Sequence, residues 1–387
     1  FTIPLMKKAG YGGVKAGAIE TASSVNGQIM PPVMGAIAFV MAITLGVDYA
    51  VVMVAAIIPS LLYYLGLLLQ VDAYAARNGL KGMDRERLPR AGRTLLQGWP
   101  FLLVLVFLVW GLLYKRWEYY APWYACLLMI ALSFLRRETW MTPLRLWETI
   151  RQVGILVTQT AAIILPIAFV VSGMTITGVT GSITSGLVTL GGGNLYLVIL
   201  FGIVACFIMG MAGLSIVAYI FLAVTMAPAI IELGGLNPIA VHFFILYYAM
   251  LAAITPPVAA AAFLAATIAG GRPMQTSFTA MRLGVVIYIV PLFFLFQPAL
   301  VLQGDLAPLV YVLPSIVIGI MLIAGGFEGW LVGFGRVRGL LRAPLAAAGF
   351  VFSFPGPMMT LAGGVASAAM VALVWLDNRR QRAAALA

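Results

Sequence analysis

Charge is what this 387-residue chain has least of: Asp, Glu, Lys and Arg make up 9% of it against 63% hydrophobic residues, and mean hydropathy is +1.06. That balance excludes a soluble domain of this length and reads as a polytopic membrane protein. The formal charge is +11, yet the basic residues sit in short clusters between apolar runs, as loops do, which excludes a nucleic-acid-binding face. One histidine, His242, rules out a His-rich metal site. The two cysteines, Cys126 and Cys206, lie far apart in apolar runs and read as buried free thiols. A Gly-x-x-x-x-Gly-Lys-Ser/Thr phosphate loop is missing, so this chain does not itself burn ATP; His-Glu-x-x-His and Gly-x-Ser-x-Gly are missing too. No catalytic set is visible, and no cofactor is implied. The chain opens at Phe1 without an initiator methionine, signal peptide or charged leader, and reads as beginning inside a larger protein.

What is there is organised around two proline pairs. The stretch from Tyr247 to Ala266 is apolar enough to cross a bilayer but carries Pro256-Pro257 in its middle. A proline removes a backbone donor and clashes with the carbonyl four residues back. A pair therefore frees several groups at membrane depth, where only protein, an ion or a water-filled cavity can satisfy them. The stretch from Glu20 to Phe39 repeats the device, with Pro31-Pro32-Val33 aligning with Pro256-Pro257-Val258.

Apolar runs of near-spanning length are Ile29–Leu45, Tyr49–Leu69, Trp99–Tyr114, Pro122–Leu135, Ile150–Val171, Leu195–Ala223, Ile239–Ala269, Leu283–Leu302 and Leu306–Ala324. A last pair, Pro344–Phe354 and Met358–Trp375, fits either tilted helices or a re-entrant turn. The connection carrying Arg77, Lys81, Arg85, Arg87, Arg90 and Arg93, with only Asp84 and Glu86 against them, is cytoplasmic by the positive-inside rule. Counting on, Arg136-Arg137, Arg272, Arg336, Arg338 and Arg342 also fall inside. Asp48, Asp305 and the uncharged Thr175–Gly193 segment fall outside, and Lys115-Arg116 is the exception, a basic pair placed outside. On this count the span with Pro31-Pro32 and the span with Pro256-Pro257 run in opposite directions. Each is followed by a span with its own proline, Pro59 or Pro291. Inverted repeats with discontinuous helices are the mark of a secondary transporter whose site lies near the bilayer midplane.

A transported cation needs oxygen ligands in a dry site, and an unwound helix supplies carbonyls without burying a full charge. The candidates at the first break are Ser23, Ser24, Asn26, Gly27, Gln28, Pro31 and Pro32; at the second, Thr255, Pro256 and Pro257. Neutral oxygens from Ser24, Asn26, Gly27 and Thr255 suit Na⁺ better than a proton, with Gly27 permitting close backbone approach. The alternative is that Ser and Thr only satisfy freed backbone groups or pack helices. Half-helix N-termini at the breaks present partial positive charge to an anionic substrate. Gly210 and Ser215 belong to Met209–Tyr219, which with Pro228 and Gly234-Gly235 reads as a helix-turn-helix hairpin entering the membrane, or else as a kinked span. His242 reads as structural in preference to a proton carrier. Glu232 reads as solvated, and Glu20 either neutralises a cation or pairs with Lys15. Trp140–Arg151 reads either as an interfacial helix bracing a scaffold or as the flank of the next span. Residue types alone also admit a binding-protein-independent Na⁺/anion symporter, or a membrane scaffold or enzyme that transports nothing.

At these residues the chain resembles the large membrane subunit of tripartite ATP-independent periplasmic (TRAP) transporters, of the fused 4TM/12TM permease type associated with TAXI-class binding proteins. The likeness runs through Lys7-Lys8-Ala-Gly-Tyr11, Gly27-Gln28-Ile-Met-Pro31-Pro32-Val-Met-Gly35 and Ala55–Pro59. It resumes at Met209-Gly210, Ala227-Pro228-Ala229, His242-Phe-Phe, Ile254–Val258 and Gln297–Leu300. The resemblance implies an all-α, elevator-type transporter with re-entrant hairpins, in which a mobile part slides against a scaffold. It also implies Na⁺ coupling and an organic acid handed over by a periplasmic TAXI-type binding protein. A small membrane subunit, fused upstream or separate, is implied too, all in a bacterial inner membrane. Measured against the family, the first hairpin survives only as Thr2–Met6, an N-terminal truncation, and Gly213-Leu214-Ser215 lacks the usual Pro-Thr-Thr. The expected organisation is a first repeat over 1–70; a basic loop, two connecting spans and an interfacial helix over 71–151; a second, inverted repeat over 152–304; and C-terminal spans with a basic tail over 305–387.

Overall fold

The computed structural model describes residues 2–82, 90–210 and 215–386. Asp84, Arg85, Glu86 and Arg87 of the basic connection, and Met211, Ala212, Gly213 and Leu214 of the hairpin, lie outside the described residues. Helices dominate because a backbone in hydrocarbon must bond to itself. After α1 (Thr2–Lys8), α2 (Gly13–Val25) passes through a 3-10 turn at Asn26–Gln28 and an unwound stretch, 29–35, into α3 (Ala36–Leu45). Next come α4 (Tyr49–Ala55) and α5 (Ile57–Asn78), which together make one span. Then follow α6 (Ala91–Leu113), α7 (Ala121–Ser133), α8 (Pro143–Ile176), α9 (Val179–Leu190), α10 (Leu195–Gly210), α11 (Ser215–Thr225) and α12 (Ala227–Gly234). The second proline pair follows, in the series α13 (Pro238–Leu251), an unwound stretch 252–259, α14 (Ala260–Ala269), α15 (Pro273–Leu283) and α16 (Val285–Phe296). Last come α17 (Leu309–Glu328), a two-stranded turn of β1 (Trp330–Leu331) and β2 (Gly335–Arg336), α18 (Gly339–Ser353) and α19 (Pro357–Leu386).

Local chemistry sets the helix ends. Asn237 caps α13 by accepting from the Ala240 N–H at 3.2 Å, with Pro238 at the first helical position where its missing donor costs nothing. Gly46 and Gly270 end α3 and α14 in the left-handed conformation, which closes the last turn of each. Every residue of α13 from Ile239 to Leu251 is buried, as a helix apolar on all sides should be. At the other extreme, no residue of α8 is buried, and α8 packs chiefly along α11 and α9.

The two broken spans run antiparallel. A Cβ on Gly13 would lie 2.7 Å from the Ala269 oxygen, and one on Gly17 3.3 Å from the Ala265 oxygen, so numbers rise along α2 as they fall along α14. Reciprocally, α3 packs on α13. The helices that follow cross the same way: Gly66 meets Val286, and Gln70 Nε2 donates to the Leu283 carbonyl at 2.6 Å. Small residues at these crossings let backbones approach, which is how helices associate where lipid offers no hydrophobic drive.

Four local expectations are corrected or decided here. The Thr175–Gly193 segment is not a loop: α8 continues to Ile176 and α9 follows. Several of its hydroxyls bond back inside the helices, as when Thr175 donates to the Val171 carbonyl at 2.9 Å and Thr189 to the Ser185 carbonyl at 2.8 Å. Trp140–Arg151 is the flank of a 34-residue helix, α8, and not a separate one. Cys126 is exposed, whereas Cys206 is buried as expected. The last apolar pair forms two helices packed together, α18 and α19, of which α19 holds a stretch long and apolar enough to span.

Basic residues from separate helices converge at one end of the bundle. Lys15 Nζ lies 2.9 Å and Arg282 Nη2 2.8 Å from the fully buried Glu328 carboxylate. Arg77 donates to the Glu328 carbonyl at 2.7 Å, and Arg342 to the carbonyls of Gly326 and Phe327, so two arginines cap the C-terminus of α17. At the opposite end Arg116 pairs with Asp48 and the Glu118 carboxylate accepts from the Tyr49 N–H. Lys115-Arg116, the exception to the charge count, is thus offset by acids on its own side.

Candidate functional site

At the first break the proline pair leaves carbonyls without helical partners, and the protein itself takes up two of them. The Tyr49 hydroxyl donates to the carbonyls of Pro32 and Val33, at 3.0 and 2.8 Å. The Pro31-Pro32 and Pro256-Pro257 bonds are both cis. Aligned on the proline pairs, Met34 falls on Ala259, and both sit in the left-handed region, at φ 52° and 37°. The Met34 N–H bonds to Met30 at 3.3 Å, and the equivalent Ala259 N–H to Thr255 at 3.2 Å. A left-handed residue other than glycine costs roughly 1–2 kcal/mol. Its recurrence at the same place in both repeats marks the breaks as held geometry, the pattern expected where strain serves a function. The same alignment sets Tyr63 on Tyr288. Tyr63 donates to the Ala22 carbonyl at 2.6 Å, and Tyr288 shares a hydrogen with Thr255 Oγ1 at 2.8 Å. One tyrosine from each repeat thus braces a broken span, Tyr63 the first and Tyr288 the second.

The sequence-derived candidates divide between two environments. Asn26 is wholly buried; its Nδ2 lies 3.5 Å from the Ser60 carbonyl and its Oδ1 has no donor. Thr255 is buried too, donating to Leu251 at 2.7 Å. Ser23 is half-buried and donates back to the Ile19 carbonyl at 2.7 Å, as a helical serine does. Ser24, Gly27 and Gln28 are exposed, with Ser24 Oγ 3.5 Å from Glu20. Pro31, Pro32 and Pro256 are half-buried and Pro257 is exposed. Glu20 also accepts from the Thr2 hydroxyl, and Lys15 pairs with Glu328 rather than with Glu20. Gly27 permits no close protein contact: a Cβ there would meet nothing within 4 Å. Its face is open, so Gly27→Ala is expected to fold with an unchanged thermal midpoint.

Gly210 is the opposite case. A Cβ on it would lie 2.8 Å from the Ala249 oxygen and 2.9 Å from the Ala252 Cβ, so α10 rests directly on the end of α13 at the second break. Gly210→Val should lower stability by about 1–3 kcal/mol through overpacking, read as a drop in thermal midpoint that Gly27→Ala does not show. Beyond Gly210 the chain returns: α10 packs on both α11 and α12, which makes this segment a helix-turn-helix and not a kinked span. Its return arm begins at Ser215. There a cleft of about 280 Å³ is lined by Gln28, Gly35, Ala36, Ile37, Ser215 and Ile216, with Ile163 of α8 across it. The N-terminus of α3 opens into it, after Gly35. Its first N–H groups and aligned peptide dipoles offer partial positive charge. A helix N-terminus, a carboxamide and a hydroxyl suit a small anion.

His242 is buried with Nδ1 2.8 Å from the Tyr219 hydroxyl, a satisfied pair between α13 and α11. Among the described residues no group of three or more His, Cys, Asp or Glu comes together. Sequence reasoning missed Tyr49, Tyr63, Tyr288 and Ser60. Tyr63 and Tyr288 were findable by extending the proline alignment along both repeats. Nothing local marks Tyr49 or Ser60.

Comparison with known proteins agrees with this geometry. No curated protein matches the chain. The family profile described as "Tripartite ATP-independent periplasmic transporter, DctM component" matches residues 1–309, which takes in both broken spans, the hairpin and the cleft. This multi-pass membrane chain belongs to the DctM family, the permease component of tripartite ATP-independent periplasmic transporters.

Proposed function

We propose that the chain carries out Na⁺-coupled symport of an organic acid across a bacterial inner membrane. In this reading a periplasmic binding protein of TAXI type delivers the acid, and a small membrane subunit, fused upstream or separate, completes the permease. The observation that carries the reading is the cleft in which Gln28, Ser215 and the N-terminus of α3 meet. A carboxylate there is met by N–H donors and partial positive charge without a buried lysine or arginine. The orphaned Asn26 Oδ1 at the same break supports a cation site there, with the sequence candidates Ser24 and Gly27 beside it in the chain, and Thr255 of the second break, as further oxygen ligands. The compact body of the two repeats, set against the sparsely packed α6, α7 and α8, suits a mobile part and a scaffold.

The energetics are sufficient. Each entering Na⁺ gains about 2.3 kcal/mol per 100 mV, plus about 1.4 kcal/mol from a tenfold gradient. Two ions supply about 7 kcal/mol, of which a dianion moving against the same potential consumes about 4.6. What is left sustains about hundredfold accumulation, so a dicarboxylate calls for at least two Na⁺. The test is uptake by proteoliposomes holding the complete permease, with binding protein added. Uptake should follow an imposed Na⁺ gradient and stop when the binding protein is withheld. Uptake indifferent to Na⁺ and driven by a proton gradient would remove the coupling, and uptake without binding protein would remove the partner.

A further inference from the structure

The family profile ends at residue 309, where α17 begins, so the last three helices lie beyond it. Between them runs an apolar groove of about 720 Å³, walled by Ile318 and Leu322 of α17, Phe352 of α18, and Ala368, Val371 and Trp375 of α19. α17 and α19 are both long and apolar enough to cross a membrane, which puts the groove at hydrocarbon depth. Along α19 it extends from Gly364 to Trp375, about 16 Å of helix at roughly 1.5 Å per residue. That is about one leaflet of a hydrocarbon core roughly 30 Å thick.

The charge at the groove's ends is unequal. Phe334 and Trp375 close one end, and there the Arg379 guanidinium lies 4.5 Å from the centre of the Trp375 ring. Arg336 follows Phe334 closely and is held by Asn378, whose Nδ2 donates to the carbonyls of Phe334 and Arg336 at 3.1 and 2.9 Å. Arg338 at the same end is already paired with Asp377 at 3.2 Å. Among the described residues Arg336 and Arg379 have no carboxylate partner. An apolar slot one leaflet deep that opens beside two arginines without carboxylate partners among the described residues, one of them stacked on a tryptophan, matches one amphiphile.

We propose that this groove binds an anionic membrane phospholipid, one acyl chain lying along α19 and the phosphate held by Arg336 and Arg379. A helix from a second copy or another subunit fits less well. It would fill the slot with apolar side chains and leave both arginines facing nothing of opposite charge. The lipid also has a structural consequence, because it joins α19 to α17, and α17 carries Glu328 into the charge cluster between the two repeats.

The test titrates the full chain, in neutral detergent, with phosphatidylglycerol or phosphatidylcholine and counts bound lipid by native mass spectrometry. The wild type should retain phosphatidylglycerol at least tenfold more tightly than phosphatidylcholine. The double variant Arg336→Gln/Arg379→Gln should lose that preference while keeping its lipid-free thermal midpoint. Ala368→Phe, which fills the slot, should weaken both lipids alike. Retention of phosphatidylglycerol unchanged in both variants would overturn the site. So would a cysteine placed at Ala368 forming a disulfide with a second copy in the membrane, since a protein helix would then be the occupant.

Discussion

Glu328→Ala should cost about 3–5 kcal/mol of stability, the loss expected when one partner of a buried ion pair is removed and the other charge stays behind. The side chains concerned are nearly dry, with Lys15 at 7% exposure and Glu328 at 0%, so solvent cannot take over the role of the carboxylate. Arg282 is 40% exposed and contributes less, because water screens it. Removing the carboxylate takes the acid partner from Lys15 and Arg282, beside Arg77 and Arg342, which only cap backbone carbonyls at the same helix end. A thermal-melting series in detergent measures the loss. The double variant Lys15→Met/Glu328→Met should recover most of it, because an apolar pair of similar volume replaces the buried pair, and Arg282, the charge left over, is 40% exposed and can turn to water. A single variant as stable as the wild type would show that water reaches Lys15.

Asn26→Ala should abolish stabilisation by Na⁺ while leaving the Na⁺-free protein about as stable as before. In the structure the Asn26 carboxamide gains little: one long contact of 3.5 Å to Ser60 and a buried Oδ1 without a donor. An unsatisfied buried acceptor costs about 1–3 kcal/mol, so its removal has little to destroy. A bound cation repays that cost. At a hundred times its dissociation constant, an ion bound only by the folded state raises stability by about 2.7 kcal/mol, and that increment is what the variant should lose. Melting with NaCl against KCl at equal ionic strength separates the two roles. If Asn26 only ties α2 to α5, its loss will lower the midpoint equally in both salts.

These predictions rest on features of different visibility. The proline pairs, their apolar surroundings and the opposed charge at the ends of the two spans are all in the chain as written. They require a broken, inverted pair, because no continuous helix accommodates two imino acids at membrane depth. The candidate residues around Asn26 and Thr255 followed from the same breaks. The cleft did not, since Gln28 and Ser215 are brought to one place only when the return arm α11 packs on α3. The helical character of Thr175–Gly193 was hidden by its composition. Threonine and serine read as loop residues until their hydroxyls are seen bonded to carbonyls one turn back.

By itself the sequence determined the class of molecule, the positions of the two breaks and their opposite sense, because hydropathy, proline and charge act locally and in order along the chain. Only the tertiary structure decided which acid Lys15 meets, which tyrosine supports each break, and that the hairpin arm and the first break share a cleft. Those outcomes depend on contacts between residues far apart in the chain, such as Lys15 with Glu328, 313 positions away. Packing selects such partners by shape and burial, which leave no periodic trace in the order of amino acids.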